Sequence, residues 1–167
     1  MKKRILTAVA LLCMVVCLSG CLSQTADTAT PSENDLNSIE WTTASYLDFF
    51  SYQVPKEWTS TSMGFTSTST SKIHGSVSFT IVTDYYFSAE EFVEEEVNAV
   101  TPEWKFVEQG TVAIDGLRGY YFTLENDNGE TDYHFVFESG NEIFYGMFGS
   151  ETSNELREYI LDSISLN

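Results

Sequence analysis

The chain has 167 residues, a formal charge of −17 and an aromatic content of 14%. Three of its eight basic residues (Lys2, Lys3, Arg4) sit at the start, which leaves five against 25 acids, a net of about −20 for everything after the N-terminal segment. Such a field repels nucleic acid, and the five scattered cations make no basic patch for it.

Lys2, Lys3 and Arg4 form a positive start, and an apolar run from Ile5 to Leu18 follows. The run is shorter than the ~20 residues a bilayer span needs, and its flanks suit a signal peptide over residues 1–20. It closes on Leu18-Ser19-Gly20-Cys21, which resembles the bacterial lipobox. The small residues fit a signal-peptidase site, and the Cys21 thiol is then the nucleophile that takes diacylglycerol. Further acyl chains on the same residue would make the attachment stable. Cys13, Cys17 and Cys21 are the only cysteines. The folded part is therefore expected to hold no disulfide, thiolate metal site or thiol nucleophile. Residues 21–45 are rich in Ser, Thr, Ala, Asp and Asn, carry Pro31, and read as a flexible tether. Trp41 within them is expected to dock on the edge of the domain.

The domain is expected over residues 46–167. Phe50, Tyr52 and Val54 alternate with polar residues, the period of a half-buried strand, and Pro55 stops it. Trp58 should cover the edge of the core. A weaker strand runs from Met63 to Ser67, and a clear one carries Val77, Phe79 and Ile81. Ser88-Ala89-Glu90-Glu91 has the pattern of a capping box, and Phe92, Val93, Val97 and Val100 form one helical stripe ended by Pro102. Trp104 to Ile114 reads as a strand interrupted near Gly110, with a turn at Asp115-Gly116.

From Leu117 to Gly149 the pattern is three antiparallel strands joined at Asn128-Gly129 and Gly140-Asn141. Two-residue turns at both places set Leu124 opposite Tyr133, Phe122 opposite Phe135, Tyr120 opposite Phe137, Phe137 opposite Phe144 and Tyr133 opposite Phe148. One face is then almost wholly aromatic. The other carries Tyr121, Thr123, His134, Val136, Ile143, Tyr145 and Met147. A one-residue slip would exchange the faces. Thr152-Ser153-Asn154-Glu155 offers a second capping box, and the helix after it puts Leu156, Tyr159, Ile160 and Ile164 on one side. The order is three strands, a helix, four strands and a helix. That argues α+β, with an antiparallel sheet of about six or seven strands and flanking helices.

This order resembles the PsbP-like fold, an α-β-α sandwich named for an extrinsic protein of photosystem II and shared with a nuclear Ran-binding protein and with bacterial lipoproteins. The likeness is carried by Phe50-Ser51-Tyr52-Gln53-Val54-Pro55 with Trp58, by Asp115-Gly116-Leu117-Arg118-Gly119-Tyr120-Tyr121-Phe122, and by Asn141-Glu142-Ile143-Phe144-Tyr145 with Ser163-Ile164. The resemblance implies a module that docks to other proteins, and it brings no catalytic motif.

The chain has no Gly-x-Ser-x-Gly elbow, no phosphate loop and no Gly-x-Gly-x-x-Gly. Asp127-Asn128-Gly129 fails as a calcium loop, because Leu124 and Phe135 fall where ligands should stand. Glu125, Asp132 and His134 share one face in the expected register and are the candidate metal ligands. The simpler reading is a solvated carboxylate pair beside a half-buried histidine. His74 reads as exposed. The second sheet face, with Tyr121, Thr123, His134, Tyr145 and Met147, is either covered by the first helix or the site for a partner.

The functional expectation is a non-enzymatic, lipid-anchored binding or assembly module outside the bacterial cytoplasmic membrane or another envelope membrane. It would dock another envelope protein and need no cofactor. The alternatives are a small-ligand or metal-binding lipoprotein, and an enzyme whose site one sequence does not reveal.

Overall fold

The computed structural model describes residues 36–82 and 88–167. Phenylalanine dominates its centre: Phe50, Phe122, Phe135, Phe137, Phe144 and Phe148 are fully buried. Each such side chain stabilises the fold by on the order of 2 kcal/mol through removal from water.

The strands form two antiparallel sheets. In the smaller, β1 (Trp41–Tyr46), β2 (Phe50–Pro55) and β10 (Ser165–Leu166) lie in the order β1-β2-β10. The larger contains β3 (Thr59–Ser60), β4 (Gly64–Thr66), β5 (Ser76–Val82), β6 (Trp104–Ile114), β7 (Leu117–Asn126), β8 (Thr131–Ser139) and β9 (Glu142–Phe148). Its order is β3-β4-β5-β9-β8-β7-β6. The described residues also form two α-helices, α1 (Ala89–Asn98) and α2 (Asn154–Asp162).

Two cores result. On one face of the large sheet, Phe79, Phe135, Phe137, Phe144 and Phe148 pack with Phe50, Tyr52 and Val54 of β2 and with Leu156, Ile160, Leu161 and Ile164 at the C-terminal end. On the other face, Ala89, Phe92 and Val93 of α1 cover Phe122 and Val136. α1 starts as expected, with Ser88 Oγ accepting from the Glu91 N–H at 3.1 Å. The cap of α2 falls one residue later than the Thr152 box implies. Ser153 Oγ accepts from the Leu156 N–H at 3.3 Å. Thr152 is occupied elsewhere: its hydroxyl accepts from the Ser76 N–H at 3.0 Å and donates to the Ser76 carbonyl at 3.2 Å, which ties α2 to β5.

Residues 41–45, expected in the tether, form most of β1. Trp41 does pack onto the domain, stacking on Tyr159 of α2 with ring centroids 3.9 Å apart. Trp58 is buried, and its Nε1–H donates to the Ile73 carbonyl at 2.9 Å. β6 is not interrupted at Gly110. Its irregularity lies between Phe106 and Glu108, where Val107 has no partner on β7.

The register between β7 and β8 is one residue off the expected one. The pairs are Tyr120 with Val136, Tyr121 with Phe135, Phe122 with His134, Thr123 with Tyr133 and Leu124 with Asp132. The cause is the turn. Asn126 N–H donates to the Glu130 carbonyl at 2.9 Å, and Gly129 N–H donates to the Asn126 carbonyl at 2.9 Å, so the loop is Asp127, Asn128 and Gly129. Asn126 Oδ1 clamps it, accepting from Asn128 N–H at 2.9 Å and Glu130 N–H at 3.0 Å. Gly129 takes φ +79°, the left-handed residue that closes a three-residue hairpin loop. The turn at Gly140-Asn141 is as expected, and Phe137 faces Phe144 and Tyr133 faces Phe148.

Candidate binding surface

The register decides which predicted site residues can meet. Tyr121 and Thr123 lie on the aromatic core face with Tyr133 and Phe135, away from His134, Tyr145 and Met147. In their place the second face carries Tyr120, Phe122 and Leu124, and α1 packs over much of it. The surface expected for a partner is thus mostly the second core.

His134 sits within it at 6% exposure. Its ring lies flat on Phe122, centroids 4.6 Å apart and planes at 3°, and Nδ1 is 2.5 Å from the Tyr145 hydroxyl. Burial pushes the imidazole down to about 4, so it is neutral at pH 7. Burial, with Glu96 and Asp132 nearby, raises the Tyr145 phenol well above its ordinary range. His134 Nε2 and Thr123 Oγ1 are buried without a hydrogen-bond partner among the described residues.

The candidate metal ligands do not converge. Asp132 and His134 share the α1 face, whereas Glu125 lies on the opposite one, paired with Thr131 and 3.6 Å from the Lys105 ammonium. Among the described residues no group of three His, Cys, Asp or Glu side chains could hold a metal ion. The one-residue shift is the physical reason. His74 is exposed, as expected. Cys21 lies outside the described residues.

Sequence reasoning missed the outer edge of the large sheet, which no strand among the described residues covers. β6 is the last strand in the order, and seven of its eleven residues are exposed. Asp115 (φ +47°) and Gly116 (φ +79°) make the two-residue turn to β7, so Ile114 and Leu117 are its hydrogen-bonded flanking pair. Antiparallel alternation then turns the backbone N–H and C=O of Gln109, Thr111 and Ala113 outward. Among the described residues no strand lies beyond β6, so these groups have no ladder partner on that side.

A cleft lies on each side of this edge. The one toward α2, about 350 Å³, is lined by Glu108, Tyr121, Tyr133, Arg157, Glu158 and Asp162, with Thr111 and Val112 at its rim. Arg157 lies 4.0 Å above the Tyr133 ring, and Tyr133 stacks on Tyr121 at 5.1 Å. Burial pushes the Tyr133 phenol up to about 12, against the pull of Arg157. The cleft toward α1, about 230 Å³, is lined by Glu90, Glu94, Gln109, Thr111, Arg118 and Tyr120, with Val93 and Gly110. Here Arg118 lies 5.1 Å from the Tyr120 ring centre, and the Tyr120 hydroxyl donates to Glu90 Oε2 at 3.3 Å. The corrected register was the missing signal, because only it brings Tyr121 onto the same face as Tyr133.

No protein-family model and no curated relative matches the sequence. Solved structures do. PsbP (CyanoP) from Synechocystis sp. PCC 6803 superposes with a TM-score of 0.54 at 13% identity, over 80% of this chain and 96% of that one. The fold is PsbP-like. At this identity the likeness concerns the fold alone. PA94, a protein of unknown function from Pseudomonas aeruginosa, aligns with a TM-score of 0.42 at 12% identity over 71% of this chain and 87% of that one. Among the described residues β6 is an outer strand of the large sheet, with a cleft on each side.

Proposed function

We propose that the protein is a lipid-anchored extracytoplasmic binding module that docks another envelope protein and catalyses no reaction of its own. The anchor is supported by Leu18-Ser19-Gly20-Cys21 at the end of the apolar run. The docking role rests on one observation, the β6 edge, which has no neighbouring strand among the described residues and lies between two clefts. Beside it Phe106 and Val107 are 38% and 47% exposed. The test has two parts. Cys21→Ser should leave the protein unprocessed or move it from the membrane fraction to the soluble one. Crosslinking in intact cells should capture one envelope protein reproducibly. An unchanged membrane fraction with unchanged mobility counts against the anchor, and crosslinks to no protein count against docking.

A second reading has its own observation. The cleft of about 350 Å³ brings Tyr121 and Tyr133 together with Glu108, Glu158 and Asp162, a volume and a donor set that suit a small cationic ligand. Calorimetry with small organic cations separates the two readings, since saturable heat that Tyr121→Ala removes favours the ligand.

A further inference from the structure

We propose that the outer edge of β6 receives an extended, basic segment of a partner protein as an added strand. This rests on the docking reading above and names its chemistry. Among the described residues no strand covers this edge, which offers the outward N–H and C=O groups of Gln109, Thr111 and Ala113; Val107, with no partner on β7, stands at one end, so Glu108–Ile114 is regular. Seven residues is an ordinary strand length.

An added strand sends its side chains alternately to the two faces of the sheet. Each face has a cleft at this edge, and Thr111 borders both. The charge of the clefts selects the partner. Glu108, Glu158 and Asp162 stand against Arg157 in one, and Glu90 and Glu94 against Arg118 in the other. Both guanidiniums lie over tyrosine rings. Carboxylates thus dominate the places where the partner's side chains would enter, and the whole chain at −17 adds attraction at long range. The same charge disfavours a second copy of this chain as the occupant.

The test uses the full-length protein in detergent micelles with an alternating lysine–threonine peptide of about nine residues and its glutamate–threonine counterpart. The basic peptide should protect the amides of Gln109, Thr111 and Ala113 from hydrogen exchange, and the acidic one should not. Glu158→Lys should weaken the basic peptide by roughly tenfold at low salt. Thr111→Pro, which removes an outward donor on an edge strand, should abolish the protection and keep a cooperative melt. If Thr111→Pro fails to fold, Glu158→Lys still decides.

Equal binding of both peptides, protection elsewhere, or no effect of Glu158→Lys overturns the proposal. Self-association that protects the same three amides without peptide also overturns it, in favour of a second copy. A photo-crosslinker at Thr111 or at Met147 in intact cells separates the two levels. Capture from Met147 alone overturns the edge and keeps the docking reading, and capture from neither overturns both.

Discussion

Phe122 and His134 face each other across β7 and β8, their ring planes 3° from parallel. The contact holds the imidazole in an apolar layer under α1, and burial takes it down to about 4 from an ordinary value near 6.5. The unfolded chain therefore binds this proton first as pH falls. The contribution of His134 is full above about 6.5, is lost between 6.5 and 4, and is flat below that. The slope inside the window approaches about 1.4 kcal/mol per pH unit for one proton. Tyr145, Glu96 and Asp132 face the same region, and Asp132, raised chiefly by burial, opposes the trend on acidification. Urea unfolding of the wild type and His134→Gln should give a stability difference that slopes only between pH 4 and 6.5. A difference independent of pH would mean that the imidazole titrates normally.

At high pH the sign reverses for the buried phenols. Tyr52 and Tyr133 are pushed up to about 12, chiefly by burial, from an ordinary value of 10. The unfolded chain releases these protons first, so stability is full below pH 10 and falls as pH rises toward 12. Phenolate absorbance should lag behind that of free tyrosine until the fold melts. Full titration near pH 10 in a folded sample would contradict it.

The loop at Asn126 is the next test. Its Oδ1 accepts two backbone N–H bonds, and its Nδ2 donates to Glu130 Oε2 at 2.7 Å. Asn126→Ala should cost on the order of 1–2 kcal/mol, because it removes the acceptor of both backbone N–H groups at an exposed turn. Asn128→Ala should cost less. Equal effects at the two positions, read from urea midpoints, would point to a two-residue turn instead.

That same loop marks the limit of what was legible in the sequence. The alternation of Val77, Phe79 and Ile81, and of Tyr133, Phe135 and Phe137, gave strands whose buried faces are those observed. Ser88 gave the start of α1. The β7 face was misread because Asn-Gly serves either a two-residue or a three-residue loop, and a side-chain clamp at Asn126 made the choice. The error then passed into the site. It placed Tyr121 and Thr123 beside His134, and Glu125 beside Asp132. The three-residue loop puts each pair on opposite faces. β1 was missed for a different reason. Thr42, Thr43 and Ser45 look like tether, and their strand exists because β2 supplies the partner.

β1 makes a prediction about boundaries. Trp41 stacks on Tyr159, whose hydroxyl donates to Gln53 Oε1 at 2.9 Å, and Ala44 is buried opposite Tyr52. A chain starting at residue 46 leaves β2 an edge strand and uncovers that side of the core. It should melt several degrees below one starting at residue 36, a shift that ~1 kcal/mol suffices to produce. Trp41→Ala in the longer chain should recover part of the difference. Equal melting of the two chains would make β1 dispensable.

The last prediction concerns the centre of the aromatic layer. Gly146 of β9 is paired with Phe135 of β8, and a Cβ at Gly146 would lie 2.2 Å from Phe135 Cζ. The ring fills the space a side chain would take. Phe135 cannot retreat, since it is fully buried with Phe79 and Phe148 at centroid distances of 5.7 and 5.4 Å. Gly146→Ala should therefore destabilise by about 1–3 kcal/mol through overpacking, although alanine costs less backbone entropy than glycine. Gly110 is the internal control. It meets Tyr121 Cε1 at 2.7 Å in the same cross-strand arrangement, but Tyr121 is half-buried at the rim of a cleft and can swing outward. Gly110→Ala should cost well under half as much. Phe135→Ala, which empties the same volume, should cost about 3–5 kcal/mol. Urea unfolding of the three variants ranks them. A Gly146→Ala protein as stable as the wild type would show that the ring does not occupy that space.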